Sequence, residues 1–182
     1  MTNDEKRAAI RKIVTDFARE YLERRLLWQL GQIVPGADDH EPAVRVLHKL
    51  YEDDPEALLY TMEPREWLSM ALFGAGLADE DPGGMREVCQ QMAEWVFGFP
   101  GSYQYEIPDA WAESEMGALW WQALMRCEGD ALITISEAAE LAGVTVQAMS
   151  QRVTRGKLRS FIDPLAGRHQ GRRLVRWSEV AP

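Results

Sequence analysis

Residues 133–177 read ITISEAAELAGVTVQAMSQRVTRGKLRSFIDPLAGRHQGRRLVRW, and this run carries the strongest structural signal in the chain. Ser136 is the predicted N-cap of a short helix, because its hydroxyl can accept from free backbone N–H groups. Gly143 is expected to end that helix, since glycine adopts a left-handed backbone at little cost. Thr145 then caps a second predicted helix that runs through Gly156. The first helix is expected to pack through Ala138, Ala139 and Leu141, with Val144 buried in the turn.

The second predicted helix has distinct inner and outer faces. Val146, Met149 and Val153 recur at spacings of three and four, so we expect them to face inward. The outer face carries Gln147, Ser150, Gln151, Thr154 and Arg155. Two helices joined by a tight, glycine-containing turn are the arrangement that sets a second helix into the major groove of DNA.

Two short strands are predicted after the second helix. Residues 157–162 can form one strand and residues 172–177 its partner. Residues 163–171 provide a polar, basic connection, and residues 178–180 are expected to start a final turn of helix. This order predicts a β-hairpin wing beside the two helices.

Four short motifs in this order carry a resemblance to known DNA-binding families: Glu137-Ala138-Ala139, Gly143-Val144-Thr145, Gly156-Lys157-Leu158 and Gly171-Arg172-Arg173. The sequence resembles the winged helix-turn-helix of the MerR and phage-excisionase families across slightly more than a quarter of the chain. The resemblance implies that this segment binds DNA. Four motifs in one order are more specific than any single short match.

The charge of the chain is divided unevenly between two segments. Residues 1–130 hold 12 Lys/Arg and 25 Asp/Glu, a net charge of −13, whereas residues 131–182 hold 8 and 4, a net charge of +4. The two values add to the −9 of the whole chain. Such asymmetry favours a nucleic-acid-binding surface on residues 131–182 and a different role for residues 1–130.

The N-terminal segment is predicted to be helical throughout. Its first helix covers residues 3–31 and is expected to stop at Gly31 and Pro35-Gly36. Further predicted helices cover residues 42–52, 55–61, 64–77, 81–98 and 108–128, and proline behind an acidic residue starts the first four of these. The predicted fold is mainly α, with an acidic helical-bundle domain at residues 1–130 and a winged helix-turn-helix with a small β-hairpin at residues 131–182.

Tryptophan is frequent in the helical segment. Several of the rings could line a pocket for an apolar effector, although a tryptophan-rich core explains most of them equally well. Trp120 and Trp121 are more informative, because adjacent residues of a helix cannot both point at one core. One ring is therefore expected to face another domain, a second subunit or a pocket.

The sequence gives little support for catalysis. His48 and Glu52 are spaced to share a metal, but no third ligand has a suitable spacing. Cys89 and Cys127 lie on apolar helical stripes, where packing is the favoured role. No phosphate-binding glycine loop occurs, so no enzyme activity, cofactor or metal is predicted.

No apolar run approaches the roughly 18 residues of a membrane span, and the sequence predicts a soluble cytoplasmic protein without a membrane partner.

The predicted function is binding of double-stranded DNA, by a transcriptional regulator or an accessory factor of a mobile element. Amide and guanidinium groups suit base edges, whereas other basic groups suit phosphates. The candidate residues for the major groove are Gln147, Ser150, Gln151 and Arg155, and Thr145 is a further DNA-binding candidate. Phosphate or minor-groove candidates are Lys157, Arg159, Arg168, Arg172 and Arg173. Arg152 is expected to contact phosphate or to pack beneath the helix, and His169 to meet phosphate or solvent. We expect a homodimer, because one small wing offers limited contact area. The alternative is an adaptor whose helical body docks a protein partner, without specific DNA binding.

Overall fold

The computed structural model describes residues 1–33, 49, 57–98, 106–166 and 173–180. This part of the chain is mainly helical and carries a small antiparallel sheet of three strands. The α-helices are α1 (Asn3–Ile33), α2 (Met62–Gly74), α3 (Pro82–Phe97), α4 (Glu115–Cys127), α5 (Ile135–Leu141) and α6 (Val146–Thr154). The strands are β1 (Leu132–Thr134), β2 (Ser160–Ile162) and β3 (Arg173–Arg176), and 3₁₀ turns cover Ala57–Tyr60, Asp109–Glu113 and Trp177–Glu179.

The long first helix is confirmed, but its end is not where the sequence indicated. Gly31 was expected to stop the helix, whereas α1 continues to Ile33. A glycine inside a helix costs only about 1 kcal/mol relative to alanine, which is too little to break a helix that tertiary contacts support. On the inner face of α1, Ile10, Val14 and Ala18 are fully buried.

Helix α3 begins where the sequence predicted. Asp81 is its N-cap: the Asp81 Oδ2 accepts from the Gly84 N–H at 2.7 Å, and Pro82 occupies the first helical turn. The stripe of apolar residues is also confirmed, because Cys89 and Met92 are fully buried against the other helices.

Other helix boundaries differ from the prediction. Residues 108–128 were predicted as one helix, but Ser114 divides them, since its Oγ accepts from the Gly117 N–H at 2.9 Å and caps α4. Helix α2 starts after Thr61 and ends at Gly74, so the predicted range of 64–77 lies too far along the chain. Of the predicted helix at 55–61, the structure describes only the 3₁₀ turn Ala57–Tyr60. The predicted helix at 42–52 falls almost entirely outside the described residues.

The N-cap of helix α5 lies two residues before the predicted one. Thr134, and not Ser136, is the cap, because it forms a reciprocal capping box with Glu137. The Thr134 N–H donates to Glu137 Oε2 at 2.7 Å, and the Glu137 N–H donates to Thr134 Oγ1 at 3.2 Å. Gly143 has the expected left-handed backbone, with φ of 62°. Leu141 was expected to pack inside, but 46% of it is exposed.

Helix α6 follows the prediction at its start and less well elsewhere. Thr145 is its N-cap and accepts from the Ala148 N–H at 3.2 Å. The helix ends at Thr154, and Gly156 lies beyond it with φ of 67°. Met149 is fully buried, but Val146 was wrongly assigned to the inner face, because it lies in the first turn and is 50% exposed.

The sheet has the strand order β1-β3-β2, with both pairs antiparallel. The expected pairing of the last two strands is present and joins Phe161 to Leu174. Both strands are shorter than predicted, and Trp177 belongs to the final 3₁₀ turn. Strand β1 was not predicted; it pairs Ile133 with Val175 and extends the sheet on the other side of β3.

Two clusters of buried apolar side chains lie on either side of residue 130. The larger cluster consists of buried residues between Ile10 and Ala123 and is formed by the N-terminal helices. The smaller is formed by Ala138, Ala139, Met149 and Val175. In the part of the chain that the structure describes, no helix is long and apolar enough to cross a membrane.

Candidate nucleic-acid interface

Helix α6 presents a polar face to solvent. Met149 points inward, and at about 100° per residue Gln147 and Gln151 lie within about 20° of the opposite direction. Both glutamine side chains are exposed. Thr154 is also exposed, and its hydroxyl donates to the Ser150 backbone oxygen at 3.0 Å. The two amides are therefore the groups on this face that are best placed to reach a ligand.

A basic surface adjoins this face. Residues 141–162 contain no Asp or Glu and four Lys or Arg, a net charge of +4. These four residues, which we call the basic surface, are Arg152, Arg155, Lys157 and Arg159. All four are exposed, and none forms an ion pair with a described residue. Their charge is therefore available to an external anion.

Arg159 differs from the other three because it rests on aromatic rings. Its guanidinium carbon lies 4.9 Å from the centroid of the Trp121 ring and 5.4 Å from that of Phe161. The two rings contact each other, with centroids 5.7 Å apart. Trp121 belongs to helix α4, so the N-terminal helices supply part of the floor beneath the basic surface.

Two other arginines form ion pairs with carboxylates. The Arg173 guanidinium donates to both carboxylate oxygens of Glu113, at 2.8 and 2.9 Å. Arg176 donates to Asp130 at 2.9 Å and lies 3.5 Å from Glu128. Arg173 was predicted to contact phosphate, but its partner in the structure is a carboxylate, so a phosphate would have to displace Glu113.

Asp130 holds the junction between the two segments. Only 6% of its side chain is exposed. It accepts from Ser178 Oγ at 2.6 Å, from Arg176 Nε at 2.9 Å and from the backbone N–H groups of Ala131 and Ser178 at 2.9 and 3.1 Å. Burial would raise the pKa of this carboxyl, but the hydrogen bonds from Ser178, Arg176 and Ala131 outweigh burial and lower the pKa from 3.8 to about 2.

The remaining predicted site residues are less well placed. Thr145 is exposed, but its hydroxyl oxygen already caps α6, and Ser150 is half-buried. Arg168, His169 and Arg172 lie outside the described residues. The sequence predicted that one ring of the Trp120-Trp121 pair would face another domain, a second subunit or a pocket, and Trp121 packs against Phe161 of the C-terminal segment. Its position beneath Arg159 was not predicted, because nothing local links the two residues.

In residues 1–33, 49, 57–98, 106–166 and 173–180, no cluster of three or more His, Cys, Asp or Glu could hold a metal. Burial raises the pKa of the Cys89 thiol to about 12 and also raises that of Cys127, so neither thiol is activated as a nucleophile. The predicted pair of His48 and Glu52 falls outside the described residues.

A groove with an aromatic lining lies on the helical body. Its volume is about 860 Å³, and its rings are Phe17, Tyr21, Trp95 and Trp111. Most of its wall is formed by α1 and the ends of α3 and α4, so it is separate from the basic surface. The predicted tryptophan-rich core is also present, because Trp67 and Trp120 are 1% and 4% exposed.

No known family model, curated protein or solved structure matches this chain.

Proposed function

We propose that this protein binds double-stranded DNA through helix α6 and the adjoining basic surface, in the manner of a winged helix-turn-helix. One observation carries the proposal: four exposed cations lie within residues 141–162, which contain no acidic residue, in a chain whose net charge is −9. A strongly acidic protein that concentrates free positive charge at one place has a surface suited to a polyanion.

The contacts divide into two kinds in this proposal. Gln147 and Gln151 enter the major groove, where an amide can make two hydrogen bonds to adenine. Arg155 is the C-cap of α6, one turn after Gln151, and reaches a guanine edge or a phosphate. Arg152, Lys157 and Arg159 contact phosphates, which hold the helix in register and provide affinity for any sequence.

The β2–β3 pair forms the wing in this proposal. Its strand β3 carries Arg173 and Arg176, which are paired with carboxylates of the body. The wing is therefore fixed on the body by one strand, while Lys157 and Arg159 precede the other strand and remain exposed. This arrangement favours DNA contact from the β2 side.

The experiment is fluorescence anisotropy with a random-sequence duplex of about 20 base pairs, repeated over a range of salt concentrations. If the four cations of the basic surface each neutralise one phosphate, log affinity falls against log salt with a slope of about −3.6. Arg155→Ala should weaken binding, whereas Arg24→Ala, which removes an exposed cation from α1, is the matched control and should not.

The result that overturns the proposal is the absence of binding to this duplex at low salt. An adaptor whose basic surface docks an acidic protein would give that result. With DNA binding present, the proposed role is that of a transcriptional regulator or an accessory factor of a mobile element. A genome-wide map of bound sites distinguishes these two roles.

A further inference from the structure

We infer that Trp121 of the helical body is a positioning residue for DNA binding, because its ring holds the Arg159 guanidinium in place for a backbone phosphate. The inference rests on the proposed function and extends it, because it gives the N-terminal helices a direct part in the binding surface.

The geometry of the three side chains supports this role. Phe161 is 1% exposed, and Trp121 lies against it with a ring separation of 5.7 Å. The Arg159 guanidinium lies over both rings, 4.9 and 5.4 Å from their centroids. The rings therefore form a fixed apolar floor, and the exposed cation rests on it.

The cation–π contact does not use the hydrogen-bonding groups of the Arg159 guanidinium. Contact with a ring uses the flat face of the guanidinium, whereas its five N–H donors lie in its plane. The plane is the part that binds phosphate through two parallel hydrogen bonds. Arg159 can therefore bind a phosphate without leaving the rings, so fewer rotamers are lost on binding.

The neighbouring cations lack this support. Arg152, Arg155 and Lys157 are exposed and have no ring contact with a described residue. They must lose side-chain freedom when they contact DNA. Arg155 is accordingly a matched control: it carries the same charge and the same side chain, but nothing in the described structure holds its guanidinium.

The test is a double-mutant cycle on the full chain, with affinity measured on a random-sequence duplex. Trp121→Leu should weaken binding about two- to five-fold, the effect expected of an exposed cation–π contact. Arg159→Ala should weaken it about ten-fold, as expected for a charged hydrogen bond. The double variant should bind no more weakly than Arg159→Ala, because the ring acts only through the guanidinium.

Two comparisons separate positioning from a general structural effect. In the Arg155→Ala background, Trp121→Leu should still cause its full loss, so the two effects multiply. Trp121→Phe, which keeps an aromatic face, should restore most of the binding that Trp121→Leu loses. If Trp121→Leu lowers affinity by the same factor in the Arg159→Ala and Arg155→Ala backgrounds, the inference is overturned. That result would show that Trp121 acts on the fold as a whole.

Arg159→Lys tests the same point without changing Trp121, which also packs against Trp120 at 5.0 Å. Lysine keeps the charge but not the planar, stacked guanidinium. Affinity should fall about two- to five-fold with an unchanged salt slope, and wild-type affinity in this variant would overturn the inference. If the wild-type chain itself fails to bind the duplex, the proposed function fails instead, so the two failures are distinguishable.

Discussion

Replacing Asp130 by Asn removes the charge that joins the two segments of the chain. The carboxylate is 6% exposed and accepts hydrogen bonds from Ser178 and Arg176 as well as from the adjacent backbone. An asparagine side chain still has one acceptor oxygen, but its NH₂ group would face a donor on Arg176 or Ser178. The variant therefore tests the junction with little change of volume.

The pKa of Asp130 sets the size of the effect. A carboxyl whose pKa falls from 3.8 in the unfolded chain to about 2 in the folded protein contributes about 2 to 3 kcal/mol to the free energy of unfolding at pH 7. For a chain of this length, that loss lowers the midpoint of thermal unfolding by about 5 to 10 °C.

The pH dependence has a definite sign. Because the pKa of Asp130 is lower in the folded protein, its carboxylate stabilises the fold above pH 3.8. This stabilisation is lost as the pH falls toward about 2. The difference in unfolding free energy between wild type and Asp130→Asn should therefore be constant from pH 7 to about pH 5. At pH 3 about half of it should remain.

The assay is urea denaturation followed by tryptophan fluorescence, at pH 7, 5 and 3. Asp79→Asn is the control, because Asp79 is fully exposed and lies 3.9 Å from Arg126, so its replacement should leave the midpoint unchanged. Equal midpoints for wild type and Asp130→Asn at pH 7 would refute the reasoning. A difference that persists in full at pH 3 would also refute it.

Four further substitutions test the surface and the core. Lys157→Ala should weaken binding to all DNA sequences and reduce the salt slope by about 0.9. Arg173→Ala should leave the slope unchanged, because the Glu113 carboxylate already neutralises the Arg173 guanidinium. Anisotropy titrations at several salt concentrations measure both slopes. Gln151→Ala should cost about 1–3 kcal/mol on the preferred site and relax base choice at one position, as measured by binding-site selection. Gly74→Ala should destabilise the protein by about 1–3 kcal/mol in urea denaturation, because the new Cβ would lie 2.6 Å from the backbone N of Ala123.

Each of these predictions has an outcome that contradicts it. A salt slope for Lys157→Ala equal to that of wild type would remove this residue from the phosphate contacts. A loss for Gln151→Ala that is equal on all sequences would show that α6 does not read bases. Gly84→Ala is the control for Gly74, since its Cβ would meet only the Asp81 carboxylate at 3.5 Å, and an equal loss in both variants would contradict the steric explanation.

The parts of the fold that follow from local patterns could be predicted from the sequence. Helix α3 combines an aspartate cap with apolar residues at helical spacing, and both signals lie within 16 residues. The start of α5 was also readable, because Thr134 followed three residues later by Glu137 is the sequence form of a capping box, whereas Ser136 has no Glu or Gln at that distance. Strand β1 has only three residues and runs directly into α5, so no alternation marks it. Strand β2 is equally short, but it was recognised as one half of a hairpin.

The candidate site depends on contacts between distant parts of the chain, and these could not be predicted from local patterns. Arg159 and Arg173 look alike in the sequence, since both are basic residues near a short strand. Arg173 meets Glu113, which lies 60 residues earlier, whereas Arg159 meets the ring of Trp121. Only the tertiary arrangement separates a cation that is already paired from one that remains available.

The Trp120-Trp121 pair no longer supports the expected homodimer. The sequence suggested that one ring of the Trp120-Trp121 pair would need a partner outside its own core. Trp120 is 4% exposed and donates to the Cys89 carbonyl oxygen at 2.8 Å, while Trp121 packs on Phe161 of the same chain. The pair is satisfied within one chain, so it no longer favours a second subunit. The dimer is still favoured by contact area. One helix and one wing bury only a small area on DNA, so tight, specific binding requires two half-sites. Light scattering should therefore detect two chains on each duplex that carries both half-sites. A mass near 20.7 kDa for the protein in solution, together with one chain per such duplex, would exclude the dimer.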